Sequence, residues 1–381
     1  MKSKEFEVEI NNEVLKWAIK TSGWDTLELS KKIGINESDL NKVLNNEKKF
    51  TIAQLTKLSK LIKRPIAFFL LSEIPREEIK PLPKDYRMIP RKKDVFSKET
   101  LLAIRIARKL QTSSRELAQN LNTTLIPNVT KITINDNPQE VAEEYRNKAK
   151  FLEDLQKKAD SPSKVFNFLR DFIENQNILV FQFPMPVDDV RGFTLSEDIP
   201  KVIVINSKDQ IKSRIFTIMH EFAHILLDES IIDMPEESLV REKQNKIEEW
   251  CNKFASEFLL PKAIAERIFE ENKSNLTETK TLNRLTNKWK ISKKFILYKM
   301  LKLNFIDKPQ YEEILRRPYK KEKTKGSPPP EVRCISEKGK RFISLVSANV
   351  NNNFITFVDA LGYLSVKADQ YQKILEKIKG D

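Results

Sequence analysis

Only two histidines occur in the 381 residues of the chain, at positions 220 and 224, and only two cysteines, at 251 and 334. The cysteines form no C-x-x-C pair and no disulfide framework, which suits a reducing compartment. Glycine is scarce, at seven residues, which argues against a Gly-rich loop cradling nucleotide phosphates, and no P-loop sequence is present. The longest apolar run, IAFFLL (66–71), is far too short to span a bilayer. The stretch MKSKEFEVEI at the start has no apolar signal core. The expectation is a soluble, cytoplasmic protein.

What the chain has in excess is positive charge. The formal net charge is +14, with a pI near 9.4. That balance favours anionic partners, nucleic acid first, although a Lys-rich surface that merely solubilises is the competing reading. The length is enough for two or three domains, each with its own core.

Both histidines fall on one segment, Ile211 to Leu227, reading IKSRIFTIMHEFAHILL. Its spacing predicts a helix, and the sequence is H-E-x-x-H. Residues i and i+4 lie one above the other on a helix face, so the two imidazoles can reach a single Zn²⁺. Glu221 is then placed to take a proton from water. A buried helix with incidental histidines is the alternative. Against it, Ser213, Thr217, His220, His224 and Asp228 form a polar line down a helix otherwise made of Ile215, Phe216, Ile218, Met219, Phe222, Ala223 and Ile225. A polar stripe on so apolar a helix needs something polar to face.

A catalytic zinc site usually has three protein ligands and an open position. The extended H-E-x-x-H-x-x-G-x-x-H pattern is absent, since 227 is Leu and 230 is Ser. With no histidine left, the third ligand is a carboxylate or a cysteine. A second helix is predicted from Lys246 to Pro261, with an apolar stripe through Cys251, Phe254, Ala255, Phe258 and Leu259. Glu248 lies on that stripe, whereas Glu249 points away beside Lys253. A carboxylate on a buried stripe is costly unless paired or bound to metal, which selects Glu248. Asn252 is a candidate to orient Glu248 or a histidine from outside the ligand set.

H-E-F-A-H followed by E-x-x-C-N-K-F-A-S-E-F-L-L-P resembles the ImmA/IrrE family of zinc metallopeptidases (peptidase family M78). RGFT (191–194), VIVIN (202–206) and Arg214 fit the same resemblance, which covers at least Phe166 to Tyr311. Cys251 stands where the family commonly has alanine. The resemblance implies a zincin-like, gluzincin-type domain, Zn²⁺ as cofactor, and helix-turn-helix repressors as substrates.

Residues 1–75 read as short helices with tight turns: Asn12–Ser22, Thr26–Ile33, a Gly34 turn, Asn36–Leu44, a helix capped by Thr51, and a last one opened by Pro65. This layout resembles a five-helix Xre/Cro-type helix-turn-helix domain. Its recognition helix would present Glu37, Ser38, Asn41, Lys42 and Asn45 to DNA. A small helical bundle for protein contacts is the rival, since Glu37 and Asp39 repel phosphate. A basic Pro-rich linker is expected at 76–98 and a second linker at 320–331.

Between the linkers a metallopeptidase domain is expected over 99–319. It would contain helices at Lys98–Asn120, Pro138–Phe151 and Pro162–Glu174, and strands at 178–183, Arg191–Leu195 and Val202–Ile205. The stretch 279–306 reads as a basic helix-turn-helix-like lobe in which Trp289 and Tyr298 interleave with the cations Arg284, Lys288, Lys290, Lys293, Lys294, Lys299 and Lys302; the bland alternative is a helical lobe with a solvated Lys face. A small helical C-terminal module is expected at 332–381, and Cys334 in it is expected to be inert. The fold class is thus mainly α with a small β-sheet (α+β).

The combined expectation is a zinc metalloendopeptidase coupled to DNA binding, a transcriptional regulator that cleaves a helix-turn-helix repressor. His220, His224 and Glu248 hold the metal, Glu221 is the proton carrier, and Tyr298 or Arg214 steadies the oxyanion. Partners are operator DNA and a protein substrate, with no membrane, and a homodimer is compatible. The alternatives are a non-proteolytic DNA-binding regulator or an antitoxin-like interaction protein, each with a structural or sensing zinc site.

Overall fold

The computed structural model describes residues 7–74, 96–151, 153–228, 237–317 and 328–380. Most of the expected linker at 76–98, and the linker at 320–331 up to residue 327, lie outside the described residues. The described part is mostly helical with two small sheets. It divides into two compact units.

The first unit is built from β1 (Glu7–Val8), α1 (Asn12–Lys20), α2 (Thr26–Ile33), α3 (Glu37–Leu44), β2 (Phe50–Thr51) and α4 (Ile52–Ile62), followed by a 3₁₀ turn over Ile66–Leu70. The caps follow from the sequence. Asn11 and Asp25 accept backbone N–H groups at the starts of α1 and α2, and Thr51 with Gln54 closes a capping box on α4. Gly34 ends α2 at φ 88°, the left-handed conformation that glycine adopts without a steric penalty. A fifth α-helix was expected at 65–71. Pro65 instead opens a 3₁₀ turn that buries only Phe68 and Phe69. On α3, Ser38, Asn41, Lys42 and the following Asn45 are exposed. Glu37 corrects the expectation of an outward side chain: it is half-buried and accepts a hydrogen bond from Thr26 Oγ1 at 3.2 Å, bracing α2 against α3.

The next helix, α5 (Lys98–Asn120), was expected to lie wholly in the metallopeptidase domain. Its residues through Ile106 cluster instead with the first unit. There Arg105 donates to the Ile62 carbonyl at 2.6 Å, and Lys98 pairs with Glu28 at 2.8 Å.

The second unit takes the rest of α5 and then α6 (Pro138–Lys148), α7 (Glu153–Lys158), α8 (Pro162–Glu174), β3 (Leu179–Phe183), β4 (Gly192–Leu195), β5 (Val202–Asn206), α9 (Ile211–Leu227) and α10 (Glu237–Leu259). The sheet order is β3-β5-β4, with β3 parallel and β4 antiparallel to β5. Val180 and Thr194 flank Ile203, which sets the register. Strand alternation sends Val180, Ile203 and Ile205 into the core with α8, α9 and α10. On the opposite face Phe181 meets Phe342 edge-on at 5.8 Å. Strands β3 and β5 are buried along their whole length, which is why they read as nearly unbroken apolar runs.

Helix α9 packs under the sheet and against α8 and α10. It buries Ile215, Ile218, Met219, Phe222, Ile225 and Leu226. At roughly 1.5–3 kcal/mol per side chain, this offsets the desolvation of the polar residues on the same helix. Phe222 meets Tyr145 edge-on at 5.4 Å, and Trp250 stacks on Phe254 at 5.7 Å.

The chain continues through α11 (Lys262–Glu271), α12 (Thr279–Trp289), α13 (Lys293–Lys302) and α14 (Lys308–Arg316). Helices α12 and α13 do form a helix-turn-helix, but two residues of the expected basic-aromatic surface are inside. Trp289 is core, and Lys299 is buried with its ammonium on Glu257 at 2.5 Å. The cause is tertiary: the carboxylate on α10 meets the lysine from across the core.

The C-terminal segment forms α15 (Pro330–Lys338), α16 (Lys340–Asn351), α17 (Phe357–Leu364) and α18 (Ala368–Gly380) and belongs to the second unit. It meets α8 at a buried ion pair within that helix, Arg170 Nε to Glu174 Oε1 at 3.3 Å. Arg170 also donates to the carbonyls of Ile335 (3.0 Å) and Ser336 (2.7 Å) near the end of α15. Glu174 accepts the backbone N–H of Arg341 at the start of α16, at 3.1 Å. One buried pair thereby caps two helices. Cys334 is buried, and burial pushes its thiol up to about 11. Among the described residues no helix is long and apolar enough to cross a membrane.

Candidate metal centre

Helices α9 and α10 lie against each other, and the contact brings His220 and His224 of the first to Glu248 of the second. The two Nε2 atoms are 3.2 Å apart. Glu248 brackets them, with Oε1 3.2 Å from His224 Nε2 and Oε2 3.5 Å from His220 Nε2. One donor atom from each residue lies within 4.8 Å of the others. His220 is fully buried, and the other two are partly buried.

The spacing can be tested against zinc. Tetrahedral coordination with Zn–N bonds of about 2.0–2.1 Å puts neighbouring ligand atoms about 3.3 Å apart. The two Nε2 atoms, 3.2 Å apart, fit that edge, and each has one of the two Glu248 oxygens within 3.5 Å. The donor set, two imidazoles and a carboxylate, also suits zinc.

The electrostatics favour a cation at the same point. Burial alone would raise the Glu248 carboxyl, but hydrogen bonds and charge from His220 and His224 outweigh it and hold it down to about 2. Burial would lower His224, yet Cys251, Glu248 and Glu221 together lift it well above its ordinary value of 6.5. Without metal the cluster keeps a proton, and a divalent ion answers the same charge more fully.

Glu221 sits on the flank of α9 that faces β4. It is 3% exposed, and its Oε2 accepts a hydrogen bond from Thr194 Oγ1 at 2.9 Å. Gly192 and Thr194 are two apart on the strand and so share a face. Thr194 grips the carboxylate while Gly192 leaves room for its stem. Neither role was read from the sequence, although the two-residue spacing in RGFT carried the signal once the strand faced the helix.

Further from the cluster, Arg214 donates from Nε to the Asp209 carbonyl (2.9 Å) and from Nη1 to Gln182 Oε1 (3.0 Å), so it ties the first turn of α9 to β3. Tyr298 is on the exposed side of α13, with Lys302 Nζ 5.6 Å from its ring centre. Asn252 is half-buried beside Cys251, and it is Cys251 that touches a histidine of the cluster: its Sγ is 3.6 Å from His224 Nδ1. Glu249 is exposed.

No curated protein matches the chain. Residues 173–301, from the end of α8 into α13, match the peptidase M78 family model described as an IrrE N-terminal-like domain, and this supports a metallopeptidase of the IrrE and ImmA kind.

Proposed function

We propose that the chain is a zinc-dependent metalloendopeptidase coupled to DNA binding, which regulates transcription by cleaving a helix-turn-helix repressor. The observation that carries the enzymatic part is Glu221. A structural or sensing site needs ligands and no proton carrier, yet a buried glutamate adjoins the donor cluster and is held by a hydroxyl.

His220 and His224 would bind the ion through Nε2, and Glu248 through its carboxylate. When bound, zinc supplies a Lewis acid that polarises a carbonyl and brings the pKa of water from 15.7 to roughly 7. Glu221 does the proton work. Thr194 donates to Oε2 and fixes the carboxylate, which would accept the proton of the attacking water and return it to the departing amine. Burial of the carboxylate excludes competing solvent, and the fixed rotamer removes a reorientation step. Arg214 is occupied at the sheet and acts through α9, so it does not serve as the oxyanion partner in this reading.

The DNA-binding part rests on α2, the Gly34 turn and α3, whose exposed Ser38, Asn41, Lys42 and Asn45 suit groove contacts. A DNA-bound enzyme would meet repressors at the operators it occupies. The test is co-expression with helix-turn-helix repressors encoded beside it, reading their length by mass spectrometry. Cleavage by the wild type that disappears in Glu221→Gln supports the proposal, and intact repressors throughout overturn it.

A further inference from the structure

Cys251 stands three residues after Glu248, so α10 presents both to the same region of α9. Glu248 reaches the Nε2 side of His224, while Cys251 reaches the opposite side of the ring, with Sγ 3.6 Å from Nδ1. A histidine that gives Nε2 to a metal carries its proton on Nδ1, and that proton needs an acceptor to fix tautomer and ring orientation. Sulfur accepts N–H groups at such distances, weakly.

We propose that Cys251 is a positioning residue for the metal centre: its sulfur accepts the Nδ1–H of His224 and turns Nε2 toward His220 and Glu248. The inference rests on the zinc reading of the cluster. It goes beyond packing. Cys251 is fully buried on an apolar stripe, where alanine or valine would satisfy the core equally well and could accept nothing. A carboxylate is the commoner acceptor, and at this depth it would bring an unpaired charge; a thiol accepts the proton without one.

Two experiments test it. First, alanine and serine are nearly equal in size and differ in whether they can accept a hydrogen bond. Zinc affinity, measured by competition with a chromophoric chelator, is expected to fall roughly 10-fold or more in Cys251→Ala, the cost of losing such an outer partner. Cys251→Ser should recover part of the loss, and the metal-free melting temperatures of the two variants should agree. Equal loss in both variants would reduce Cys251 to a packing role, and wild-type affinity in Cys251→Ala would remove even that.

The second experiment needs no variant. The chain has two histidines, so a long-range ¹H–¹⁵N spectrum of histidine-labelled protein contains four ring nitrogens. In the zinc-loaded wild type, His224 should carry its proton on Nδ1 and lose it from Nε2. A proton on Nε2 with Nδ1 on the metal overturns the proposal while leaving the zinc site standing. A wild type that takes up no zinc sinks the site and the proposal together.

Discussion

The backbone of Gly192 passes so close to Glu221 that a Cβ on the glycine would lie 3.3 Å from the Glu221 Cγ. The same Cβ would lie 2.7 Å from Thr217 Cγ2 and 3.0 Å from the Val204 carbonyl oxygen, and the carbonyl belongs to the central strand and cannot yield. Gly192→Ala should therefore destabilise the fold by about 1–3 kcal/mol, as overpacking does. It should also push the glutamate off its bond to Thr194. The expected outcome is zinc content close to wild type with peptidase activity strongly reduced; unchanged activity would show that the carboxylate needs no such seat.

Zinc binding should release protons. The raised pKa of His224 gives the metal-free fold a contribution that is complete below about 6.5 and is lost as pH rises through the folded value. The depressed pKa of Glu248 gives one that is present above about 4.5 and is lost as pH falls through about 2. Between these limits the histidine holds a proton that must leave before Nε2 can ligate, so affinity should rise with pH. Calorimetry in two buffers of different ionisation enthalpy, near neutral pH, is expected to show release of about one proton. In the same assay Glu248→Gln should weaken zinc binding far more than Glu249→Gln, since Glu249 is exposed. Equal losses would place the third ligand elsewhere.

How much of this was legible in advance depends on whether a feature lives on one element or between two. Helix α9 and its polar line were readable because 3.6-residue periodicity and H-E-x-x-H are local. Glu248 was readable because an acid on a buried stripe is anomalous by itself. The first turns of α10, from Glu237, were missed because ESLVREKQ carries no continuous apolar stripe. Lys299 was misjudged because its partner Glu257 comes from another helix. The Cys251–His224 and Thr194–Glu221 contacts stayed hidden for the same reason: each depends on how two elements face each other, which no spacing within one segment reveals.

The clasp between α8 and the C-terminal helices should behave as a buried ion pair. Arg170→Met leaves Glu174 with its charge uncompensated and two α15 carbonyls without their donor, so a loss of about 3–5 kcal/mol is expected. Arg170→Met with Glu174→Leu removes both charges and should recover part of it. Urea denaturation of the three proteins measures this, and a double variant no better than the single one would mean that the capping bonds matter more than the charge.

Specific DNA binding by the first unit should depend on α3. Lys42→Ala is expected to reduce the salt slope of log affinity by about one, the signature of one lost phosphate contact. Asn41→Ala, at a candidate base contact, should cost about 1–3 kcal/mol at one position of the operator and little on unrelated sequences. Titrations at several salt concentrations, on operator fragments selected from random sequence, decide between the two roles. An unchanged affinity in both variants would leave the helical unit to protein contacts.

The variant that divides enzyme from regulator is Glu221→Gln. The amide matches the carboxylate in size and can still accept the Thr194 hydroxyl, so the fold, zinc content and DNA affinity should survive. What it loses is the capacity to take a proton from water and return it to the leaving nitrogen. General acid–base assistance of this kind is worth roughly 10²–10⁴-fold, and here one group would serve both transfers, so cleavage should drop by at least that range. If a target promoter responds to the wild type and not to this variant, peptide hydrolysis is the regulatory act. If both regulate alike, the metal centre is a structural or sensing part, and the control of transcription passes through DNA binding alone.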